Sequence, residues 1–122
     1  MIKLGEVCIH TNDVVSVSNF YRRILNITIE GDYLDPVHQF IITEGTTLTV
    51  YNDGSIKNKS NPNISLAFTV DNVDDEYERL SGLDVQIIDP PKTQPWGARN
   101  MHFCDPEGNH IYFRSVPGPI KG

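Results

Sequence analysis

Residues 4 to 11 alternate so that Val7, Ile9 and Thr11 stand on one side of an extended chain and Glu6, Cys8 and His10 on the other. A strand with one apolar and one polar face is the expectation. Asn12-Asp13 then offers side-chain oxygens to cap a helix, and Val17, Phe20, Tyr21 and Ile24 recur at helical spacing as one apolar stripe that ends near Leu25. Three further apolar or β-branched runs, around 27–33, 37–43 and 46–52, are separated by the turn signals Asp35-Pro36 and Glu44-Gly45. This half reads β-α-β-β-β.

The same order returns in the second half. Ile64 to Val70 alternates, with Leu66, Phe68 and Val70 on one face and Ser65, Ala67 and Thr69 on the other, and Asp71-Asn72 caps a short helix whose stripe is Val73, Tyr77 and Leu80. Gly82 stops that helix. Strands are expected at about 84–88, 99–104 and 109–115, the last two joined by the turn Asp105-Pro106-Glu107-Gly108-Asn109. With Asp13 matched to Asn72, the halves align as two copies of one supersecondary block, too few and too large for a solenoid. The expectation is a single α+β domain over 1–122, with module 1 at about 4–52, a polar linker at 53–62, module 2 at about 63–115 and a tail at 116–122. The proline-rich stretch Asp89-Pro90-Pro91-Lys92-Thr93-Gln94-Pro95-Trp96-Gly97 reads as a loop that ends on the chain's one tryptophan. Trp96 either caps a cavity or covers core, and the pattern alone does not separate the two.

Composition narrows the function classes. A chain of 122 residues with 39% hydrophobic and 21% charged residues holds one folded core. A net charge of -6 with scattered Lys and Arg argues against a nucleic-acid surface, and no apolar run has the length of a membrane span. The partners to expect are a small molecule and a second copy of the chain. Cys8 and Cys104 lie inside expected strands and read as buried free thiols, which suits a reducing, cytoplasmic compartment. The turn Asp105–Asn109 is acidic but lacks the alternating ligands of a calcium loop. His38 and His110 are expected to be strand-edge histidines without a role.

Asp13-x6-Phe20-Tyr21, Val70-Asp71-Asn72, Trp96-Gly97-x-Arg99 and Phe103-x-Asp105-Pro106-Glu107-Gly108-Asn109-x-Ile111-x-Phe113 together resemble the vicinal-oxygen-chelate superfamily. That group includes glyoxalase I, fosfomycin-resistance enzymes, extradiol dioxygenases, methylmalonyl-CoA epimerase and bleomycin-resistance proteins. The resemblance covers roughly residues 4 to 115. It implies two tandem βαβββ modules forming a cupped, open mixed β-sheet barrel with helices outside, and a ligand in the cup. It also implies metal ligands at places that here hold Glu6, Ser65 and Tyr112, with a fourth near Leu48. One carboxylate among four places is too few donors for a divalent cation, so no metal or other cofactor is expected there. A shifted set of Glu6, His10 and His102 is opposed by strand rise, which sets Glu6 and His10 about 13 Å apart.

The face left to line the cup, by strand alternation, carries Glu6, Cys8, His10, Leu48, Val50, Ser65, Ala67, Thr69, Asn100, His102, Tyr112 and Arg114, with Trp96 at its rim. The function this implies is metal-independent binding of an organic ligand, as in the bleomycin-resistance branch. The alternative is an enzyme of the same group, with an atypical metal site or with Glu6, His102 and Tyr112 as metal-free acid-base catalysts. The acidic balance and Trp96 favour a cationic or aromatic ligand. A homodimer is expected, because a lone block leaves a sheet edge unpaired.

Overall fold

In the computed structural model, which describes residues 1–27, 35–57 and 63–116, the chain divides into two compact units, Met1–Asn58 and Lys59–Gly122. Each pairs a mixed sheet with one helix.

The first unit begins with β1 (Glu6–His10) and turns into α1 (Val14–Ile24). Asp13 caps the helix, its side chain accepting from the Ser16 amide, and Arg22 and Arg23 in the last turn complement the helix dipole. Strands β2 (His38–Ile42) and β3 (Thr47–Tyr51) complete a sheet of order β1-β3-β2, with β1 parallel and β2 antiparallel to β3. The strand expected at 27–33 falls almost wholly outside the described residues. Val14, Val17, Phe20, Tyr21 and Ile24 are all buried, together with Gln39, Ile41, Leu48 and Val50 on the sheet face that α1 covers. The Arg22 guanidinium is buried with them and donates to Gln39 Oε1 at 2.7 Å, while burial holds its pKa below the ordinary value. Each large apolar side chain in this layer contributes roughly 1.5–3 kcal/mol.

The second unit realises the whole β-α-β-β-β order: β4 (Ser65–Thr69), α2 (Val73–Ser81), β5 (Gln86–Thr93), β6 (Arg99–Cys104) and β7 (His110–Ser115). Its sheet runs β4-β7-β6-β5, parallel between β4 and β7 and antiparallel elsewhere. Asn72 Oδ1 caps α2 by accepting from the amides of Asp74 and Asp75, and three acidic residues fill the first turn. Val73 and Leu80 pack with Met101, Phe103, Ile111 and Phe113 as the core. Gly82 does end the helix, but in right-handed backbone with φ -83. The left-handed glycine that matters is Gly108 at φ 84, which closes the turn from Asp105 to Asn109.

One expectation is corrected here. The stretch from Asp89 to Thr93 is not loop but the second half of β5, which passes through Pro90 and Pro91. Prolines lack the amide a central strand needs, yet β5 lies at the end of the sheet order and its register shifts between Ile87 and Asp89 and again between Asp89 and Lys92. The irregularities fall where the prolines cannot donate.

Candidate functional site

Strand pairing settles which side chains share a face. In the second unit, β6 and β7 set Asn100 opposite Arg114, His102 opposite Tyr112 and Cys104 opposite His110, while β7 and β4 set Ser65, Ala67 and Thr69 beside His110, Tyr112 and Arg114. The helix-facing core residues occupy the alternate positions. The expected group of Ser65, Ala67, Thr69, Asn100, His102, Tyr112 and Arg114 is therefore one contiguous surface, turned away from α2.

At its centre the imidazole of His102 stacks on Tyr112, with centroids 4.4 Å apart and planes 6° apart. His102 Nε2 shares a hydrogen bond with His110 Nδ1 at 2.8 Å, and His102 Nδ1 lies 3.4 Å from Asp89 Oδ2 on the neighbouring β5. The Cys104 Sγ is 4.0 Å from His110 Nδ1, and burial, helped by the nearby Asp105 carboxylate, pushes its thiol pKa up. Arg114 Nε donates to Thr69 Oγ1 at 3.2 Å. Asn100 Oδ1 is buried with no hydrogen-bond partner among the described residues.

Asp89, Cys104 and His110 belong to this constellation and were not expected in it. The signal for two of them was present. Cys104 and His110 flank the turn Asp105–Asn109, so they close its hairpin as a pair, and period-two alternation then sets His102 on the same side. Asp89 was hidden, because no alternation rule survives a bulge at a proline pair.

The first unit departs from expectation in its phase. Parallel pairing sets Glu6, Cys8 and His10 beside Thr47, Thr49 and Tyr51, so Leu48 and Val50 share the other face with Val7 and Ile9, under α1. They do not line the face that Glu6 occupies. Thr49, whose buried Oγ1 has no hydrogen-bond partner among the described residues, takes their place, with Tyr51, His38 and Phe40 forming a ring cluster beside it. Glu6 is exposed, and His10 Nδ1 stands 3.9 Å from Asp53. Cys8 is partly buried rather than fully so; burial, and secondarily the Glu6 charge, raises its pKa. Both cysteines are free. Trp96 is 72% exposed on the β5–β6 connection, which removes the reading that it covers core.

The metal places that the resemblance implied do not fit an ion. Leu48 has no donor atom and faces the helix, Ser65 and Tyr112 offer hydroxyls that are poor ligands when protonated, and Glu6 alone supplies a carboxylate.

Two units in tandem, each joining a mixed sheet to one helix, define a glyoxalase-like α+β protein. The chain belongs to the Glyoxalase/Bleomycin resistance protein/Dioxygenase superfamily, whose family model matches residues 3–113. Among solved structures it is similar to a glyoxalase-related enzyme from Fulvimarina pelagi, at 18% identity and TM-score 0.77, covering 100% of this chain and 94% of that one. It is also similar to the fosfomycin resistance protein FosX from Listeria monocytogenes, at 20% identity and TM-score 0.73 over 99% and 97% of the two chains. TioX from Micromonospora sp. ML1 aligns at 19% identity and TM-score 0.71 over 91% and 96%. At such identities the likeness establishes the fold alone. No curated protein matches the sequence.

Proposed function

We propose that this protein binds a small organic molecule against the polar face of its second unit and holds it without a metal at the places used by the enzymes it resembles. The observation that carries this reading is the stacked, parallel pair of His102 and Tyr112. Two flat rings held parallel on the sheet face turned away from α2, beside the Arg114 guanidinium and the Asn100 carbonyl, which has no hydrogen-bond partner among the described residues, suit a planar ligand with at least one hydrogen-bond donor. Ser65 and Ala67 are small and exposed on the same face, leaving room above the strands. The net charge of -6 favours a cationic ligand.

A second reading, metal-free acid-base catalysis, is favoured by the placement of Asp89 against His102. A carboxylate beside one ring nitrogen and a second imidazole at the other is an arrangement able to hold and pass a proton. In that reading His102 is the catalytic group, with Tyr112 as the other candidate. The protein is further proposed to be a cytoplasmic homodimer.

The test is ligand capture. Protein purified under native conditions is denatured, and the released small molecules are identified by mass spectrometry. A planar compound that rebinds the wild type and binds Tyr112→Ala at least tenfold more weakly supports the reading. Equal binding to Tyr112→Ala, with fold retained by circular dichroism, refutes it.

A further inference from the structure

Three soft or borderline donors converge where β6 meets β7. Cys104 and His110 are direct cross-strand partners, and His102 lies two residues before Cys104 on the same face. His102, Cys104 and His110 each offer one ligand atom, and all three atoms lie within 4.8 Å of one another. They form the one group of this kind among the described residues. Bonds of about 2.0–2.3 Å to nitrogen and sulfur in a tetrahedral arrangement set donors roughly 3.3–3.6 Å apart. The 2.8 Å between His102 Nε2 and His110 Nδ1 and the 4.0 Å from Cys104 Sγ to His110 Nδ1 fall on either side of that span, and the third pair, His102 and Cys104, lies within 4.8 Å.

The surroundings are those of a ligand set. His102 presents Nε2 to the group while its other nitrogen faces Asp89, the carboxylate-histidine pairing that fixes ring orientation around bound metals. Tyr112 stacked on the ring holds its plane. Cys104 and His102 are 7% and 9% exposed, so the thiol and the imidazole are sheltered from competing water, whereas His110 is only partly buried and leaves a path in.

We propose that His102 Nε2, Cys104 Sγ and His110 Nδ1 form a binding site for a zinc-class divalent transition metal, with Asp89 behind His102 and the fourth position open to a non-protein ligand. Thiolate with two imidazoles selects Zn²⁺, Co²⁺ or Ni²⁺ over Mg²⁺ and Ca²⁺, which prefer oxygen. Binding displaces the proton shared between the two imidazoles and releases the Cys104 thiol proton to solvent. This site is offset from the places that the family resemblance implied, and it does not depend on whether an organic ligand binds.

Cobalt titration tests it directly. Protein treated with chelator and desalted is titrated with Co²⁺ alone. The expected result is a near-ultraviolet thiolate-to-cobalt charge-transfer band with visible bands of tetrahedral intensity, saturating at one ion per chain and abolished by Zn²⁺. Cys104→Ser should lose the charge-transfer band, His110→Gln should weaken Co²⁺ binding at least tenfold, and Asp89→Asn should weaken it about tenfold. Cys8→Ser should leave the spectrum intact. A wild-type protein without the band, or a band that survives Cys104→Ser or disappears in Cys8→Ser, overturns the proposal. A measurement on unmodified protein guards against variants that fail to fold: Zn²⁺ should slow alkylation of Cys104 at least tenfold, read by mass spectrometry, while Cys8 reacts as before. Unchanged Cys104 alkylation at saturating Zn²⁺ also overturns it.

Discussion

Tyr112 lies flat on His102, the ring centroids 4.4 Å apart and the planes 6° from parallel, directly across the β6–β7 pairing. Such a contact between ring faces is worth about 0.5–1.5 kcal/mol beyond its burial, and it fixes the imidazole without using either nitrogen. Replacing Tyr112 with Leu keeps the apolar contact and removes the flat surface. The urea midpoint should fall modestly, in line with a loss of about 1 kcal/mol, while affinity for a planar ligand should fall at least tenfold. A ligand affinity that merely tracks the stability loss would assign Tyr112 to packing alone.

Asp105 organises the turn that brings Cys104 and His110 together. It is 4% exposed, its Oδ1 accepts from the amides of Glu107 and Asn109 at 2.9 Å each, and its Oδ2 accepts from the Asn109 side chain at 2.8 Å. Asp105→Ala removes the acceptor of those three hydrogen bonds and is expected to cost about 1–3 kcal/mol, read from chemical denaturation. Asp105→Asn retains an acceptor oxygen and should cost less. Equal losses for the two variants would mean that charge, not hydrogen-bond acceptance, holds the turn.

Two exposed carboxylates give a pH dependence with a definite sign. A hydrogen bond from Lys57, with others from the Ser55 amide and hydroxyl, holds Asp53 well below the usual carboxylate range, and the Arg99 guanidinium, donating through Nε and Nη2 at 2.8 and 2.9 Å, lowers the Asp74 pKa. Depressed native values mean a stabilisation that is fully present above the ordinary carboxylate value of 3.8 and is lost as pH falls through the native values. Asp53→Asn and Asp74→Asn should therefore lower the denaturation midpoint near neutral pH, and the gap to wild type should close progressively below about pH 4. A gap constant from neutral pH to about pH 2 would show that the charges contribute nothing.

Trp96 stands 72% exposed, so a neutral quencher should reach it at near its free-indole rate. Trp96→Phe should change stability by less than about 0.5 kcal/mol. Shielding of Trp96 from the quencher in the ligand-free protein would contradict the exposed placement.

The proposed homodimer predicts a sedimenting mass near twice the 13.8 kDa chain at micromolar concentration. Phe40 and Ile42, 54% and 77% exposed on β2, are apolar surface that association could cover. A single species at the chain mass would end the dimer reading.

Wherever a local rule operates, the elements and their faces are legible in the residue pattern alone. Asp13 and Asn72 cap their helices because a short side chain reaches amides two or three residues ahead, and Val17, Phe20, Tyr21 and Ile24 are core because helical spacing aligns them. Alternation likewise separated Ser65, Ala67 and Thr69 from Leu66 and Phe68. The tertiary structure decided what depends on partners distant in the chain. Which phase of β3 meets Glu6 is set by parallel pairing with β1, and a one-residue difference sends Leu48 and Val50 under α1 and brings Thr49 to Cys8. The prolines at 90 and 91 read as a break in isolation, yet an edge strand asks nothing of their missing amides, and the resulting irregularity delivers Asp89 to His102. Local periodicity fixes the side on which a residue stands. Only pairing across the sheet fixes what stands beside it.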